Sequence, residues 1–203
     1  VTVANGTDAL IIAMKALGIT NNDEVITAPN SFIASAGAIN AVGAIPIFAD
    51  VCDDHNINPS EIEKKITSKT KAIMPVHLTG RPADMVSINE VAKRYGLFVL
   101  EDSAQAIGAS INNKPTGSLG DIGCFSLHPL KNLSIYGDGG LITTNDKNIA
   151  AKCKLYRNHG LRDRDNAALW GYNSRLDELQ AAYAIIKLSK IEEFTLKYIE
   201  IAT

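Results

Sequence analysis

Short apolar or β-branched runs alternate along the chain with segments of helical periodicity. Seven runs predict strands, and they are residues 1–4, 24–28, 45–51, 72–77, 97–102, 122–127 and 141–144. The first intervening segment repeats apolar residues at helical spacing from Ala9 to Leu17, and Gly18 closes it. Strands that alternate with helices usually form a parallel sheet covered on both faces. The pattern therefore predicts one α/β domain with a mostly parallel seven-stranded sheet between helices.

The remaining segments fit this pattern. Further helices are predicted at residues 32–41, 58–66, 85–95 and 147–158, and the last one is a single long helix over residues 176–201 with Ser174 as its cap. Asn112 and Asn113 predict a turn, and residues 114–121 predict a loop. We find no internal repeat and no linker, which favours one domain over several.

Composition narrows the functional classes. The 203 residues carry 20 basic and 22 acidic side chains, a net charge of −2, and 46% hydrophobic residues. This balance provides no basic face, so nucleic acid and anionic membrane surfaces are not expected partners. No run approaches the roughly 20 apolar residues of a membrane span, and the first residues resemble no signal or transit peptide. We expect a cytoplasmic protein.

The three cysteines are widely spaced. Cys52, Cys124 and Cys153 form no CxxC pair, so they predict free thiols that serve as packing residues rather than a disulfide framework. The same spacing argues against a metal site.

A single lysine follows the sixth predicted strand. Lys131 comes after Pro129 and before a glycine-rich turn at residues 137–140, so its amine lies at a strand exit. A partly desolvated lysine amine loses its proton readily and attacks aldehydes, whereas most lysines in such a position are solvated. Taken alone, Lys131 is compatible with both interpretations.

Three further segments would complete a site for an aldehyde cofactor such as pyridoxal phosphate (PLP). The turn at residues 5–8 offers backbone N–H groups and the Thr7 hydroxyl to a phosphate, or it is simply a helix cap. Phe32, at a strand-to-helix junction, would stack on a planar ring or pack in the core. Asp102 ends the fifth strand, where open α/β sheets bind ligands, and would hold a pyridinium nitrogen or cap the residues after it.

Seven ordered segments together carry a family resemblance. They are NGTDAL, TAPNSF, EDSAQAIG, GDIGCFSLHPLKNL, GDGG, RNHG and GYNSRLDELQAA. Through essentially all 203 residues the chain resembles the DegT/DnrJ/EryC1/StrS family of PLP-dependent (nucleotide-)sugar aminotransferases. The resemblance implies the large domain of the PLP-transferase type I, or aspartate aminotransferase-like, fold.

The resemblance implies roles for the residues around the cofactor ring. Lys131 matches the catalytic lysine that forms a Schiff base with PLP, and Asp102 matches the carboxylate that pairs with the pyridine nitrogen. Gln105 matches a residue near the ring oxygen, and Phe32 falls where an aromatic side chain stacks on the ring. Some family members replace the lysine by histidine and dehydrate or deaminate their substrates, so Lys131 favours transamination.

The family resemblance also implies a binding site for the PLP phosphate and a dimer. Gly6, Thr7 and Ser126 match the residues that surround the PLP phosphate. Asn173, within GYNSR, matches a residue that reaches the phosphate in the partner subunit. A homodimer with shared active sites follows from that match.

Two residues are candidates for the substrate. His128 matches a common family position and is expected to line the site, with a hydrogen-bonded loop histidine as the alternative. Arg175 would meet a substrate carboxylate or phosphate, or it is an exposed arginine at a helix start.

The implied reaction moves an amino group from glutamate to a nucleotide-linked ketosugar, in the synthesis of lipopolysaccharide or other surface polysaccharide sugars. Because family members are longer at both ends, residues 1–203 resemble the PLP-binding large domain alone, without the small C-terminal domain. We expect an apolar exposed face near the last helix, where that domain would pack. The alternative is a non-catalytic fragment or regulatory relative that keeps the fold as a scaffold.

Overall fold

The computed structural model describes residues 1–202, so Thr203 of the expected 1–203 domain lies outside the described part. The strands of the described part are β1 (Thr2–Val3), β2 (Glu24–Thr27), β3 (Ile45–Phe48), β4 (Thr70–Met74), β5 (Phe98–Asp102), β6 (Ser110–Ile111), β7 (Lys114–Pro115), β8 (Ile122–Ser126) and β9 (Gly140–Thr143). Its α-helices are α1 (Gly6–Leu17), α2 (Ile33–Ala41), α3 (Pro59–Lys65), α4 (Met85–Tyr95), α5 (Lys147–Arg157), α6 (Glu178–Leu188) and α7 (Ile191–Ala202). A short 3₁₀ helix covers Leu78–Gly80.

Seven of these strands form one sheet in the order β1-β9-β8-β5-β4-β2-β3. The pairs β2–β3, β2–β4, β4–β5 and β5–β8 are parallel, and β9 runs antiparallel to both β8 and β1. The prediction of a mostly parallel seven-stranded sheet is confirmed. Pro46 lies in β3 at the edge of this sheet, where a missing N–H removes no bond to a second neighbour.

Helices cover both faces of the sheet. On one face α1, α2 and α5 contribute Ile12, Ile39 and Cys153 to a buried apolar cluster. On the other face α3 and α4 contribute Ile62 and Ile88 to a second cluster. Burial of these helix stripes against both faces is the main stabilising term for such a layered fold.

A third cluster lies where the loop after β8 meets α6 and α7. Its buried residues, Leu127, Leu133 and Ile135, belong to the loop after β8. They pack against partly buried residues of β9, α6 and α7, including Leu141, Tyr183 and Ile191. The loop that contains Lys131 therefore has its own small core.

The end of the chain differs from the prediction of one long helix. It is divided into α6 and α7, with Ser189 and Lys190 between them. Ser174 is not a helix cap, because Asp177 occupies that position. Instead the buried Ser174 hydroxyl accepts a hydrogen bond from the Ala4 amide (3.1 Å) and donates one to Asp8 Oδ2 (2.6 Å).

Two smaller expectations also needed correction. Lys114–Pro115, expected in a loop, pairs with β6 in a two-stranded hairpin. The intervening Asn112 and Asn113 have φ values of 50° and 62°, as a two-residue hairpin turn requires, so the turn prediction is confirmed. Cys124 and Cys153 are buried as expected, but Cys52 is exposed and is not a packing residue.

Candidate active site

A cavity of about 610 Å³ opens at the carboxyl edge of the sheet. Segments that follow β1, β2, β4, β5 and β8 supply its wall, because parallel strands end at the same edge. Eight of the ten candidate residues line it, namely Gly6, Thr7, Phe32, Asp102, Gln105, Ser126, His128 and Lys131. Residues up to 125 positions apart in sequence therefore meet in one place.

Lys131 projects from a tight turn after β8. Its backbone N–H donates to the His128 carbonyl (2.8 Å), and its side chain is half-buried at the cavity wall. Asp138, at the other end of the same loop, also lines the cavity. Both ends of the loop thus line the cavity.

Asp102 is a buried carboxyl group at the end of β5, with 5% of its surface exposed. Oδ2 accepts a hydrogen bond from Ser35 Oγ (2.8 Å), and Oδ1 accepts one from the Ala104 amide (3.2 Å). Burial raises the pKa of Asp102, and these two hydrogen bonds oppose that rise only in part. The hydrogen bond from the Ala104 amide also agrees with the alternative interpretation, in which Asp102 caps the residues after it.

The first turn of α1 forms another part of the cavity wall. Asn5 caps the helix, since its Oδ1 accepts from the Asp8 amide (2.7 Å). Gly6 lies directly against Ser126, because a Cβ placed on Gly6 would be 2.7 Å from Ser126 Cβ. In the first turn of a helix the amides of Gly6 and Thr7 have no intrahelical acceptor, so they are available to an anion beside the Ser126 and Thr7 hydroxyls.

Phe32 and Gln105 occupy the rim. Phe32 is 71% exposed at the start of α2, so the core-packing alternative is wrong. Gln105 lines the cavity and its Oε1 accepts from the Thr79 amide (2.6 Å). Thr79 has a positive φ of 53°, which fits a backbone bent to meet that side chain.

His128 agrees with both interpretations, a residue that lines the site and a hydrogen-bonded loop histidine. It lines the cavity, and its Nδ1 accepts a hydrogen bond from the Leu130 amide (3.2 Å) within the loop.

Asn173 and Arg175 lie outside the cavity of their own chain. Asn173 is exposed and forms a β-bridge with Asn158. Arg175 is also exposed and donates to Asn158 Oδ1 (3.4 Å). Arg175 does not start a helix, because α6 begins three residues later. The contact of Asn173 with a partner subunit stays a prediction.

Three polar residues near the cavity, Ser35, Asp138 and Asp8, were not among the site residues predicted from the sequence. Ser35 Oγ donates to the Asp102 carboxylate and also lies 2.9 Å from Ser31 Oγ, which precedes α2. Asp138 was part of the GDGG motif but was given no role. Asp8 Oδ2 accepts a hydrogen bond from the Ser174 hydroxyl, and this bond connects the segment before α6 to the cavity wall. The Ser31–Ser35 spacing of four was the one local signal for a hydroxyl pair.

Among residues 1–202 no group of three or more His, Cys, Asp or Glu side chains is placed to hold a metal ion. Within the same residues no helix is long and apolar enough to cross a bilayer.

Comparison with known proteins gives close relatives. The chain is 49% identical over 192 residues to a "Pleiotropic regulatory protein" of Geobacillus stearothermophilus, covering 94% of this chain and 52% of the relative. It is 52% identical over 179 residues to a UDP-N-acetyl-3-dehydro-alpha-D-glucosamine 3-aminotransferase of Acidithiobacillus ferrooxidans, covering 88% and 48%. The chain therefore spans about half the length of the curated relatives it matches.

Solved structures show the same fold. S. venezuelae DesV in complex with a ketimine intermediate superposes with a TM-score of 0.93 at 42% identity, covering 95% of this chain and 52% of DesV. NtdA from Bacillus subtilis with bound cofactor PMP, the amine form of PLP, has a TM-score of 0.89 at 38% identity, covering 97% and 44%. The PLP-transferase type I fold predicted from the sequence is confirmed.

A sequence profile of one family matches the whole chain. It is the profile of the DegT/DnrJ/EryC1/StrS aminotransferase family, and the match covers residues 1–203. The match agrees with the resemblance carried by the seven sequence segments. The chain belongs to the DegT/DnrJ/EryC1/StrS aminotransferase family.

Proposed function

We propose that the protein is a PLP-dependent aminotransferase that moves an amino group from glutamate to a nucleotide-linked ketosugar. The observation that carries this proposal is the meeting of Lys131, the buried Asp102 and the first turn of α1 in one cavity. A reactive amine, a buried carboxylate and an anion-binding helix start are three different requirements of one cofactor. The sugar aminotransferase from Acidithiobacillus ferrooxidans supports the substrate class.

The residues of the cavity fit PLP. The amides of Gly6 and Thr7 with the Ser126 hydroxyl would hold its phosphate, and Phe32 would cover its ring. Gln105 would lie near the ring oxygen. When bound, PLP supplies an electron sink for the charge that develops at the Cα atom of the amino donor.

Asp102 would hold the proton on the pyridine nitrogen. Its two hydrogen bonds come from neutral donors, Ser35 and Ala104, so its charge is not cancelled within those contacts. A cation beside a buried carboxylate lowers its pKa, so binding of the protonated ring would favour the ionised Asp102. Ser35 would keep the carboxylate oriented.

Lys131 would perform two tasks. Its Nζ would hold the cofactor by condensing with its aldehyde group, with loss of water. As a free amine it would accept the proton from the donor Cα and pass it to the cofactor C4′. His128, three residues before Lys131, would face the substrate.

We also propose the cellular setting. Residues 1–203 would form the PLP-binding large domain of a longer cytoplasmic enzyme that works as a homodimer, with Asn173 reaching the partner's phosphate site and Arg175 near the substrate. Its products would be aminosugars for lipopolysaccharide or other surface polysaccharides.

One comparison favours a second candidate function. The relative from Geobacillus stearothermophilus is named a pleiotropic regulatory protein, so a non-catalytic regulatory relative that keeps the fold as a scaffold is the alternative. The complete set of cavity side chains favours the enzyme, since a scaffold has no physical need for a buried carboxylate facing a lysine.

The decisive test is covalent trapping of PLP. We expect the full-length protein to develop a visible absorbance band with PLP, and borohydride to attach the cofactor permanently to the peptide that contains Lys131. Lys131→Ala should abolish both signals, because no other amine would meet the cofactor carbonyl. Mass spectrometry of the digested protein identifies the modified lysine.

Lys114→Ala is the matched control, since Lys114 is an exposed lysine on β7, away from the cavity wall. It should leave trapping unchanged. A correctly folded protein that develops no band, or a label distributed over surface lysines, would move the scaffold interpretation ahead.

A further inference from the structure

The loop after β8 has two parts. We call residues 128–139, which lie between β8 and β9, the lysine loop. Lys131 and Asp138 at its two ends line the cavity, whereas its middle turns away and is buried through Leu133 and Ile135 in the third cluster. The position of Lys131 therefore depends on whatever holds the middle of the loop.

One face of α6 holds that middle part. Gln180 binds the Tyr136 backbone twice, since its Oε1 accepts from the Tyr136 amide (3.0 Å) and its Nε2 donates to the Tyr136 carbonyl. A side-chain amide that satisfies both the N–H and the C=O of one residue fixes that peptide in position and direction.

Two more α6 side chains reach the same loop. The Tyr183 ring lies 4.5 Å from the Tyr136 ring, measured between centroids. Lys187 donates to Ser134 Oγ (2.6 Å). With Gln180 these residues have i, i+3 and i+7 spacing, so they project from a single helical face.

Gly137 shows how close the contact is. Its φ is 137°, and a Cβ there would be 3.1 Å from Gln180 Nε2. A side chain at residue 137 would therefore be strained and would also press on the amide of Gln180. The loop sequence leaves room for Gln180 at this point.

We propose that Gln180 is a positioning residue for Lys131, acting through the Tyr136 backbone, and that Tyr183 and Lys187 assist it. Gln180 is not among the residues that line the cavity. It holds the lysine loop on α6, so that the Lys131 amine stays at the cavity wall rather than moving with a free loop. This inference rests on the proposed function, because it assigns what keeps the PLP-binding lysine in place.

Gln180→Met tests the proposal, since methionine has a similar length but makes neither hydrogen bond. In full-length cofactor-free protein, the amide hydrogens of residues 132–137 should exchange about tenfold faster, because two backbone contacts are lost. Covalent capture of PLP by Lys131 should slow about tenfold, as a displaced reactive group reacts more slowly. Both are measured at a temperature where the folded fraction is unchanged.

Two further variants complete the experiment. Gln180→Glu keeps the acceptor for the Tyr136 amide and should fall between wild type and Gln180→Met in both readouts. Glu178→Gln, which changes an exposed neighbour at the start of α6 and leaves the apolar face intact, should change neither. Normal exchange and capture rates in Gln180→Met would overturn the proposal.

The two proposals fail in different ways. If the wild-type protein does not capture PLP on Lys131, the proposed function fails, whereas loop exchange still reports whether Gln180 holds the loop. If wild type captures PLP and Gln180→Met captures it equally fast, only the positioning role is wrong.

Discussion

The carboxyl group of Asp102 combines burial with an exclusively neutral set of hydrogen-bond donors. Ser35 and Ala104 provide those donors, and burial outweighs them, so the pKa of Asp102 is raised. A buried carboxyl group of this kind costs free energy in the unliganded fold and becomes useful when a cation binds. We therefore expect Asp102 to lower the stability of the cofactor-free fold and to strengthen the binding of a cationic ligand.

Asp102→Asn should separate those two effects. Because the folded-state pKa is raised, the stabilising contribution of Asp102 is present below its ordinary value of 3.8 and is lost as pH rises through the raised pKa. Cofactor-free Asp102→Asn should then be more resistant to urea than wild type at neutral pH, and the difference should shrink as pH falls. Urea unfolding of both proteins across pH measures this difference.

The same variant should lose transamination on the order of 10²–10³-fold, because a neutral amide cannot hold a cationic ring nitrogen. Other titrating groups are common to both proteins and cancel in the comparison. A wild-type protein that is more stable than Asp102→Asn at neutral pH would contradict the assignment of a destabilising buried charge.

At the scale of elements, the contact between α1 and β8 builds the anion cradle. Gly6 and Ser126 meet so closely that no side chain fits on Gly6. The first turn of a helix binds anions only if a ligand can approach its amides, and here β8 sets the depth of that approach.

Gly6→Ala should therefore damage both fold and cradle. Its Cβ would meet Ser126 Cβ at 2.7 Å, and such overpacking costs about 1–3 kcal/mol. Weaker retention of PLP or of inorganic phosphate should accompany the lower stability. Urea unfolding and a phosphate titration followed by thermal shift measure the two effects.

Gly37→Ala is a matched control for that substitution. Gly37 lies within α2 and a Cβ there would meet no atom within 4 Å. The change should be neutral or stabilise the protein by up to about 1 kcal/mol, since alanine favours helix over glycine. Equal behaviour of the two alanine variants would show that the Gly6–Ser126 contact is not tight.

At the scale of the whole molecule, α6 and α7 expose a broad apolar surface. The prediction of an apolar face near the last helix is confirmed, because these two helices expose large hydrophobic side chains at many positions, among them Leu179, Ile185, Ile186, Leu188, Leu196 and Ile201. Exposed apolar areas of this kind usually pack against another surface.

We expect the 203-residue chain alone to self-associate or to be poorly soluble. Light scattering at increasing concentration should report a mass above that of the 21.7 kDa chain. The double variant Ile186→Glu with Leu196→Glu should shift the mass toward the monomer, because charges on the apolar face disfavour its burial. A monomeric wild-type chain at high concentration would contradict this prediction.

Much of the fold followed from local pattern. The positions of the seven sheet strands and the glycine-terminated ends of α1 and α4 were predicted correctly, because periodicity, caps and turn residues act over a few residues. The division of the last helix was not predicted, since apolar spacing continues through Ser189 and Lys190 into α7. The hairpin at Lys114 was missed because two-residue strands carry too few side chains to show alternation.

The sequence by itself determined which chemical groups the protein has and the order in which strands, helices and family motifs occur. Through the family resemblance the sequence also predicted that the candidate residues share one cofactor site, and eight of the ten line one cavity. The tertiary structure alone decided the contacts that support them. The Ser35–Asp102 bond joins residues 67 positions apart, the Ser174–Asp8 bond joins residues 166 apart, and α6 contacts the lysine loop across 44 positions. Such contacts depend on strand order and helix packing over the whole sheet, which no local pattern encodes.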